Sequence, residues 1–254
     1  MYGAILGDMI GSVYEYEQIH HITPVYPKQL LTDDCFYSDD TILTIAVLDA
    51  LQHDQNYEKY LKEYALKYQD YRPAYYPSNY SPFSKGFLQW ARGEKEGNSC
   101  GNGALMRISP VGFLCDSEKD IKEQARLATI PSHNHPEAIE SATNLALMIY
   151  YLRKGYSKEQ IFHKMKITPD YQPFHSFNRT CQSTLPNCLY AFYNARDLED
   201  AYFRTLQLGG DTDTNCCIVG SLAEACYGLD DSYHETVERA LPKEFVKVLK
   251  KDNR

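Results

Sequence analysis

The chain has 254 residues, a mass of 29.2 kDa, 34 acidic against 26 basic residues and a formal net charge of -8. An apolar fraction of 43% with 24% charged residues suits one sizeable core and excludes a disordered or low-complexity chain. The acidic balance excludes the basic footprint of a nonspecific nucleic-acid binder and does not favour a membrane surface. No apolar run approaches the roughly 20 residues of a spanning helix.

In chain order, the first eight residues carry no basic segment, so no secretion signal is expected. Residues 41–52 are apolar on most faces and predict a buried helix. Residues 57–68 place Tyr57, Tyr60, Leu61, Tyr64, Ala65 and Tyr68 on one stripe, the spacing of an amphipathic helix. Residues 69–85, with Pro73, Pro77 and Pro82 among tyrosines and serines, predict an extended surface loop. Helical periodicity returns at 119–128 and at 136–152, the latter ending before Gly155. Shorter helices are expected at 157–164 and 198–206, a second extended loop at 168–184, a buried helix at 215–227 and a last helix at 242–250. No segment alternates long enough to predict a strand. The expected fold is all-α, a single domain spanning 1–254 without internal repeats.

Eight cysteines form no CxxC pair and read as reduced, mostly buried thiols of a cytoplasmic protein. The 22 tyrosines gather partly in the two loops. There they either line a pocket for a planar ligand or, the commoner use, cover edges of the core.

Two acidic clusters carry the chemistry. Ser38-Asp39-Asp40-Thr41 precedes the first buried helix, where Ser38 suits an N-cap and an acid suits the helix dipole. Capping explains one aspartate but not two adjacent carboxylates ahead of an apolar helix, where desolvation is costly without a partner. Gly209-Gly210-Asp211-Thr212-Asp213-Thr214 precedes the second, with a glycine pair for a tight turn. Two carboxylate pairs with hydroxyls, and no clustered His or Cys, specify a hard cation such as Mg²⁺ or Mn²⁺ rather than zinc.

Five segments together resemble the ADP-ribosylglycohydrolase family, in family order and across essentially the whole chain. Residues 7–15, from Gly7-Asp8 to Glu15, resemble the GDxxGxxxE motif. Ser38-Asp39-Asp40-Thr41 resembles TDDT, and Gly101-Asn102-Gly103-Ala104-Leu105-Met106-Arg107 resembles GNGAAMR. Ser132-His133-Asn134-His135-Pro136 resembles THxHP, and residues 209–214 resemble GGDTDT. Ser38 in place of Thr keeps the hydroxyl, and Leu105 replaces a small residue; neither change removes a carboxylate. The letters HNH at 133–135 do not make an HNH nuclease, whose residues spread over a ββα unit.

The resemblance implies an all-α fold with two Mg²⁺ ions in a cleft. One ion would take Ser38, Asp39, Asp40 and Asp213, and the other Asp211, Asp213 and Thr214. ADP-ribose would lay its diphosphate on Ser99-Cys100-Gly101-Asn102-Gly103, with His133 near the distal ribose and phosphates and His135 structural. Glu15, rather than Glu17, would close over the distal ribose as acid, base or gate, acting with Asp211. Asp8 is expected to order an N-terminal helix and its neighbours. The implied activity is hydrolysis of a C1″ linkage on an ADP-ribosylated protein or small ADP-ribose derivative, without nucleic-acid or membrane partners. A noncatalytic, crystallin-like protein on the same scaffold is the alternative, and a phosphohydrolase cutting the pyrophosphate to give AMP is a third reading.

Overall fold

The computed structural model describes residues 1–73 and 81–251. Three helices come first: α1 (Tyr2–His20), α2 (Asp39–Leu51) and α3 (Tyr57–Lys67). Three short ones follow: α4 (Lys85–Ala91), α5 (Gly103–Met106) and α6 (Ser109–Leu114). Next are α7 (Glu118–Thr129), α8 (Pro136–Arg153), α9 (Lys158–Met165) and α10 (Cys181–Asn194). The chain ends in α11 (Leu198–Leu206), α12 (Thr212–Tyr227), α13 (Asp231–Ala240) and α14 (Lys243–Leu249). The only extended pairing among the described residues is two isolated antiparallel bridges, Asn98 with His133 and Gly101 with Thr180. The fold is all-α, as expected.

A glycine stripe sets the central contact. Gly3, Gly7 and Gly11 recur every fourth residue, so they share one face of α1. That face lies directly on α12: a Cβ on Gly7 would stand 2.0 Å from the Cys216 carbonyl oxygen, and one on Gly11 2.2 Å from that of Thr212. Gly220 meets Gly3 in the same way from the other side. The register 3 with 220, 7 with 216 and 11 with 212 is antiparallel. It brings the far end of α1 to the start of α12, where Asp211 and Asp213 lie. α2 is buried almost continuously from Asp40 to Leu48, as its sequence predicts. One cluster of buried apolar side chains links α1, α2, α8, α10 and α12.

The expected loop at 168–184 needs correcting. Its chain is irregular only as far as Arg179, and Cys181 already opens α10. Thr180 caps the helix through a reciprocal box, its hydroxyl accepting from Ser183 N while Ser183 Oγ accepts from Thr180 N. Pro186 inside the helix obscured this, because proline normally ends a helical pattern. α13 also lies outside the predicted elements, its apolar positions being sparse. Of the expected loop at 69–85, residues 74–80 lie outside the described residues. No described helix is long and apolar enough to cross a membrane.

Candidate active site

The N-termini of α2 and α12 point at one another's carboxylates. Ser38 is the N-cap of α2, its Oγ accepting from Asp40 N at 3.2 Å. Asp8 comes across from α1: its Oδ2 accepts from Ser38 N (2.8 Å), Thr41 N (3.0 Å) and Thr41 Oγ1 (2.5 Å), and its Oδ1 from Ser38 Oγ (2.7 Å). A carboxylate borrowed from another helix therefore satisfies the start of α2. Asp211 is the N-cap of α12, after a turn in which Gly209 and Gly210 hold φ of +67° and +75°. Gln18 Oε1 accepts from Gly210 N at 3.1 Å and steadies that turn. Asp213, in the first turn, accepts from Thr214 N at 2.9 Å, and Thr214 Oγ1 reaches Asp40 Oδ2 at 3.4 Å.

The result is a buried cluster of acids with too little positive charge. Ligand oxygens of Asp8, Asp40 and Asp213 lie within 4.8 Å of one another, and so do those of Glu15, Asp211 and Asp213. Asp213 belongs to both groups. Burial, reinforced by neighbouring carboxylates, pushes the carboxyls of Asp39, Asp40 and Asp213 well above the usual range. Burial likewise raises Asp211 to about 7, despite a hydrogen bond from Asn102. Asp40 Oδ1 is buried and has no hydrogen-bond partner. An oxygen-only donor set with an orphaned carboxylate oxygen fits a hard divalent cation. Asp39 is half-buried, whereas Asp8, Asp40, Asp211 and Asp213 are buried.

A cavity of about 550 Å³ opens over this cluster, lined by Glu15, Asp39, Asp40, Asp211, Asp213 and Thr214 on one side. Ser99, Gly101, Asn102, Gly103, Arg107 and His133 form another part of its wall. His133 Nε2 faces the glycines, since a Cβ on Gly103 would stand 3.1 Å from it. Burial, with the Arg107 guanidinium beside it, holds the imidazole well below its ordinary pKa, so it is neutral. Phe83, Phe87, Trp90 and Phe177 supply apolar wall.

The sequence-derived residues thus come together, with differences. Glu15 stands among the aspartates, in ligand range, rather than only above the cleft, while Glu17 is exposed. Ser38 lies behind the cavity wall, its hydroxyl donating to Asp8. Cys100 does not line the cavity; its carbonyl accepts from Cys181 N at 3.0 Å. Asn102 is buried, and its Nδ2 donates to Asp211 Oδ2 at 2.6 Å, so its amide serves the aspartate more than any ligand. His135 is the N-cap of α8, Nδ1 accepting from Glu137 N. Sequence reasoning missed the support behind Asp211: Asn178 Oδ1 accepts from Asp211 N at 2.8 Å, while Asn178 Nδ2 donates to Thr184 Oγ1 and Asn215 Oδ1. No spacing links Asn178 to Asn215. Of the two uses open to the loop tyrosines, lining a pocket is not the one seen among the described residues: the aromatic wall is phenylalanine and tryptophan. All eight cysteines are free, five of them buried.

Comparison with known proteins agrees with this geometry. The ADP-ribosylglycohydrolase family model matches residues 1–253. The mouse ADP-ribosylhydrolase ARH3 is 22% identical over 316 aligned positions, covering 93% of this chain and 85% of its own. The ADP-ribosyl-[dinitrogen reductase] glycohydrolase of Rhodospirillum rubrum is 29% identical over 143, covering 52% of this chain and 47% of its own. A solved structure described as an ADP-ribosylglycohydrolase-related protein complex superposes with a TM-score of 0.72 at 21% identity, covering 97% of this chain and 92% of that one. With the family model spanning residues 1–253, this protein belongs to the ADP-ribosylglycohydrolase family of hydrolases.

Proposed function

We propose that this hydrolase releases intact ADP-ribose from a C1″ linkage on a modified protein side chain or small acceptor, and that it needs two Mg²⁺ ions, for which Mn²⁺ substitutes. The observation that carries the reading is the single cavity in which a buried carboxylate cluster adjoins a glycine loop and a neutral histidine. Asp39, Asp40, Asp211, Asp213 and Thr214, which line the cavity, would hold the cations, with Asp213 common to both carboxylate groups and Asp8 and Glu15 in reach; Ser38, expected among the ligands, would support them through Asp8. When bound, the cations supply Lewis-acid charge and a template for the distal ribose hydroxyls and the attacking water.

The chain's own groups do the rest. Asp211 Oδ2 is turned by Asn102, which leaves Oδ1 for cation or water. Glu15 and Asp211 are assigned the proton work, a carboxylate oxygen of Glu15 accepting the proton of the attacking water. The backbone N–H of Gly103, freed of side-chain obstruction, suits the diphosphate, whereas that of Gly101 already donates to Ser99 Oγ at 3.0 Å. Cleavage through an oxocarbenium-like state then requires chiefly positioning and electrostatics.

A panel of defined ADP-ribosylated substrates, linked through arginine, serine, acetyl or phosphate, tests the reading by product analysis with and without Mg²⁺. Release of ADP-ribose that stops with EDTA and returns with Mg²⁺ or Mn²⁺ is expected. AMP as product, or full turnover in metal-free protein, would refute it.

A further inference from the structure

Arg107 is among the largest fully buried side chains of the protein, 1% exposed, and it meets no carboxylate at hydrogen-bond distance. Its Nη2 donates to two neutral oxygens, Ser132 Oγ at 2.8 Å and Ala128 O at 3.3 Å, and its Nη1 is buried with no partner. Ser132 is 3% exposed, and its Oγ lies 2.8 Å from His133 Nδ1. These three residues form a short chain that ends at the cavity beside Gly101 and Gly103.

Proton counting decides which way the chain runs. A serine hydroxyl has one hydrogen to give and two lone pairs. A guanidinium only donates, so one lone pair of Ser132 Oγ is taken by Arg107. Were His133 Nδ1 also to donate to that oxygen, the Ser132 hydrogen would have no acceptor in a buried place, which costs a hydrogen bond's worth of desolvation. The arrangement that satisfies both the Ser132 hydroxyl and Nδ1 has Ser132 Oγ–H donating to Nδ1. Nδ1 is then bare, and the ring proton sits on Nε2.

We infer that Arg107 is a positioning residue which, through Ser132, fixes His133 as the Nε2–H tautomer, so that a neutral N–H donor is aimed at an anionic oxygen of the ligand on the glycine loop. The inference rests on the proposed ADP-ribose reading only for the identity of that ligand. It assigns Arg107 a task that buried charge alone does not explain, because a guanidinium cannot reverse its role. A lysine there would still donate, but as a point charge on a flexible stem without the planar fork.

The test has two arms. In the first, long-range proton–nitrogen NMR of the metal-free, ligand-free protein labelled at histidine nitrogen reads the tautomer directly. His133 is assigned by its loss in His133→Gln. Wild type is expected as pure Nε2–H. Ser132→Ala, which removes two atoms' worth of bonding and little volume, is expected to give mixed tautomers, and Ser132→Thr to restore the single one. In the second arm, calorimetry with ADP-ribose and Mg²⁺ is expected to show Ser132→Ala binding up to about tenfold more weakly, the worth of one charge-assisted hydrogen bond. In turnover the loss should appear more in KM than in kcat. An Nδ1–H tautomer in wild type, or an unchanged tautomer in Ser132→Ala, overturns the inference. Failure of wild type to bind ADP-ribose overturns the proposed ligand instead, and the first arm still decides the tautomer. Arg107→Met, which removes the donor to Ser132 Oγ and which circular dichroism must show folded, should give mixed tautomers as Ser132→Ala does; a pure Nε2–H tautomer there also overturns the inference.

Discussion

The two sides of the cavity bury charge of opposite sign and do so by different means. On the floor, six carboxylates from α1 and from the starts of α2 and α12 converge, and burial, with mutual repulsion, favours protonation of the five aspartates among them. On the glycine-loop side, one guanidinium is buried against neutral oxygens, its pKa brought down to about 9 by desolvation. Helix N-termini soften the first site, since their dipoles favour negative charge. Arg107 has only the face of the Phe87 ring, 5.9 Å from its guanidinium carbon, and the field of Asp39 to offset its burial among the described residues. Under the proposed function each imbalance would be completed by a ligand of opposite sign, a cation on the floor and an anion on the wall.

The sharpest way to break this comparison is at its shared residue. Asp213→Asn should cut turnover by about 10²–10³-fold or more, the scale of removing a group that stabilises developing charge. The metal-free protein should not lose stability and should gain some, because a repelling carboxylate is gone. Steady-state kinetics and calorimetric unfolding check both halves, and a variant that stays fully active places the cation elsewhere.

The floor also depends on the α1–α12 contact. Gly7→Ala puts a methyl against the Cys216 carbonyl and should cost about 3 kcal/mol, roughly 6–12 °C in Tm for a chain of this size. Gly86→Ala, where a Cβ meets only Lys95 Nζ at 3.9 Å, should leave Tm nearly unchanged. Equal effects at the two positions would deny the glycine stripe its role.

Glu15→Gln sharpens the division between holding cations and moving protons. Turnover is expected to fall by about 10²-fold, the low end of the range for a lost acid–base group, while Mg²⁺ affinity measured by calorimetry falls less. Wholesale loss of metal binding would make Glu15 a principal ligand instead.

The smallest effect is a pH slope. Asp211 holds its proton to about pH 7 in the metal-free fold, against an ordinary value of 3.8. Because the folded pKa is raised, the folded state binds more protons than the unfolded one through this window. The contribution of Asp211 to metal-free stability is therefore fully present below about pH 4 and is lost as pH rises to about 7. The Tm gained on adding Mg²⁺ should grow over the same range. A gain that shrinks with pH would contradict the carboxylate floor.

The fold class and the site's chemistry were legible because both are local. Periodicity in 41–52 and 215–227 predicts buried helices, and both form, the second starting at Thr212. Ser38 as N-cap and the tight Gly209-Gly210 turn follow from side-chain hydrogen bonding and from glycine's freedom at positive φ. α10 was not legible, since Pro186 masks a helix whose capping box and apolar face still form it.

What the sequence by itself determined is the inventory: all-α elements, two acidic caps, a glycine loop and the histidine beside it. Tertiary structure alone decided which of these meet. Only the α1–α12 register brings Glu15 to Asp211 and Asp213, only the fold lays Asp8 on the start of α2, and only it sets Asn178 behind Asp211 and Arg107 behind Ser132 and His133. The physical reason is distance along the chain. Caps and periodicity are interactions between near neighbours, whereas these pairings join residues tens to hundreds of positions apart, and backbone packing rather than any local preference fixes them.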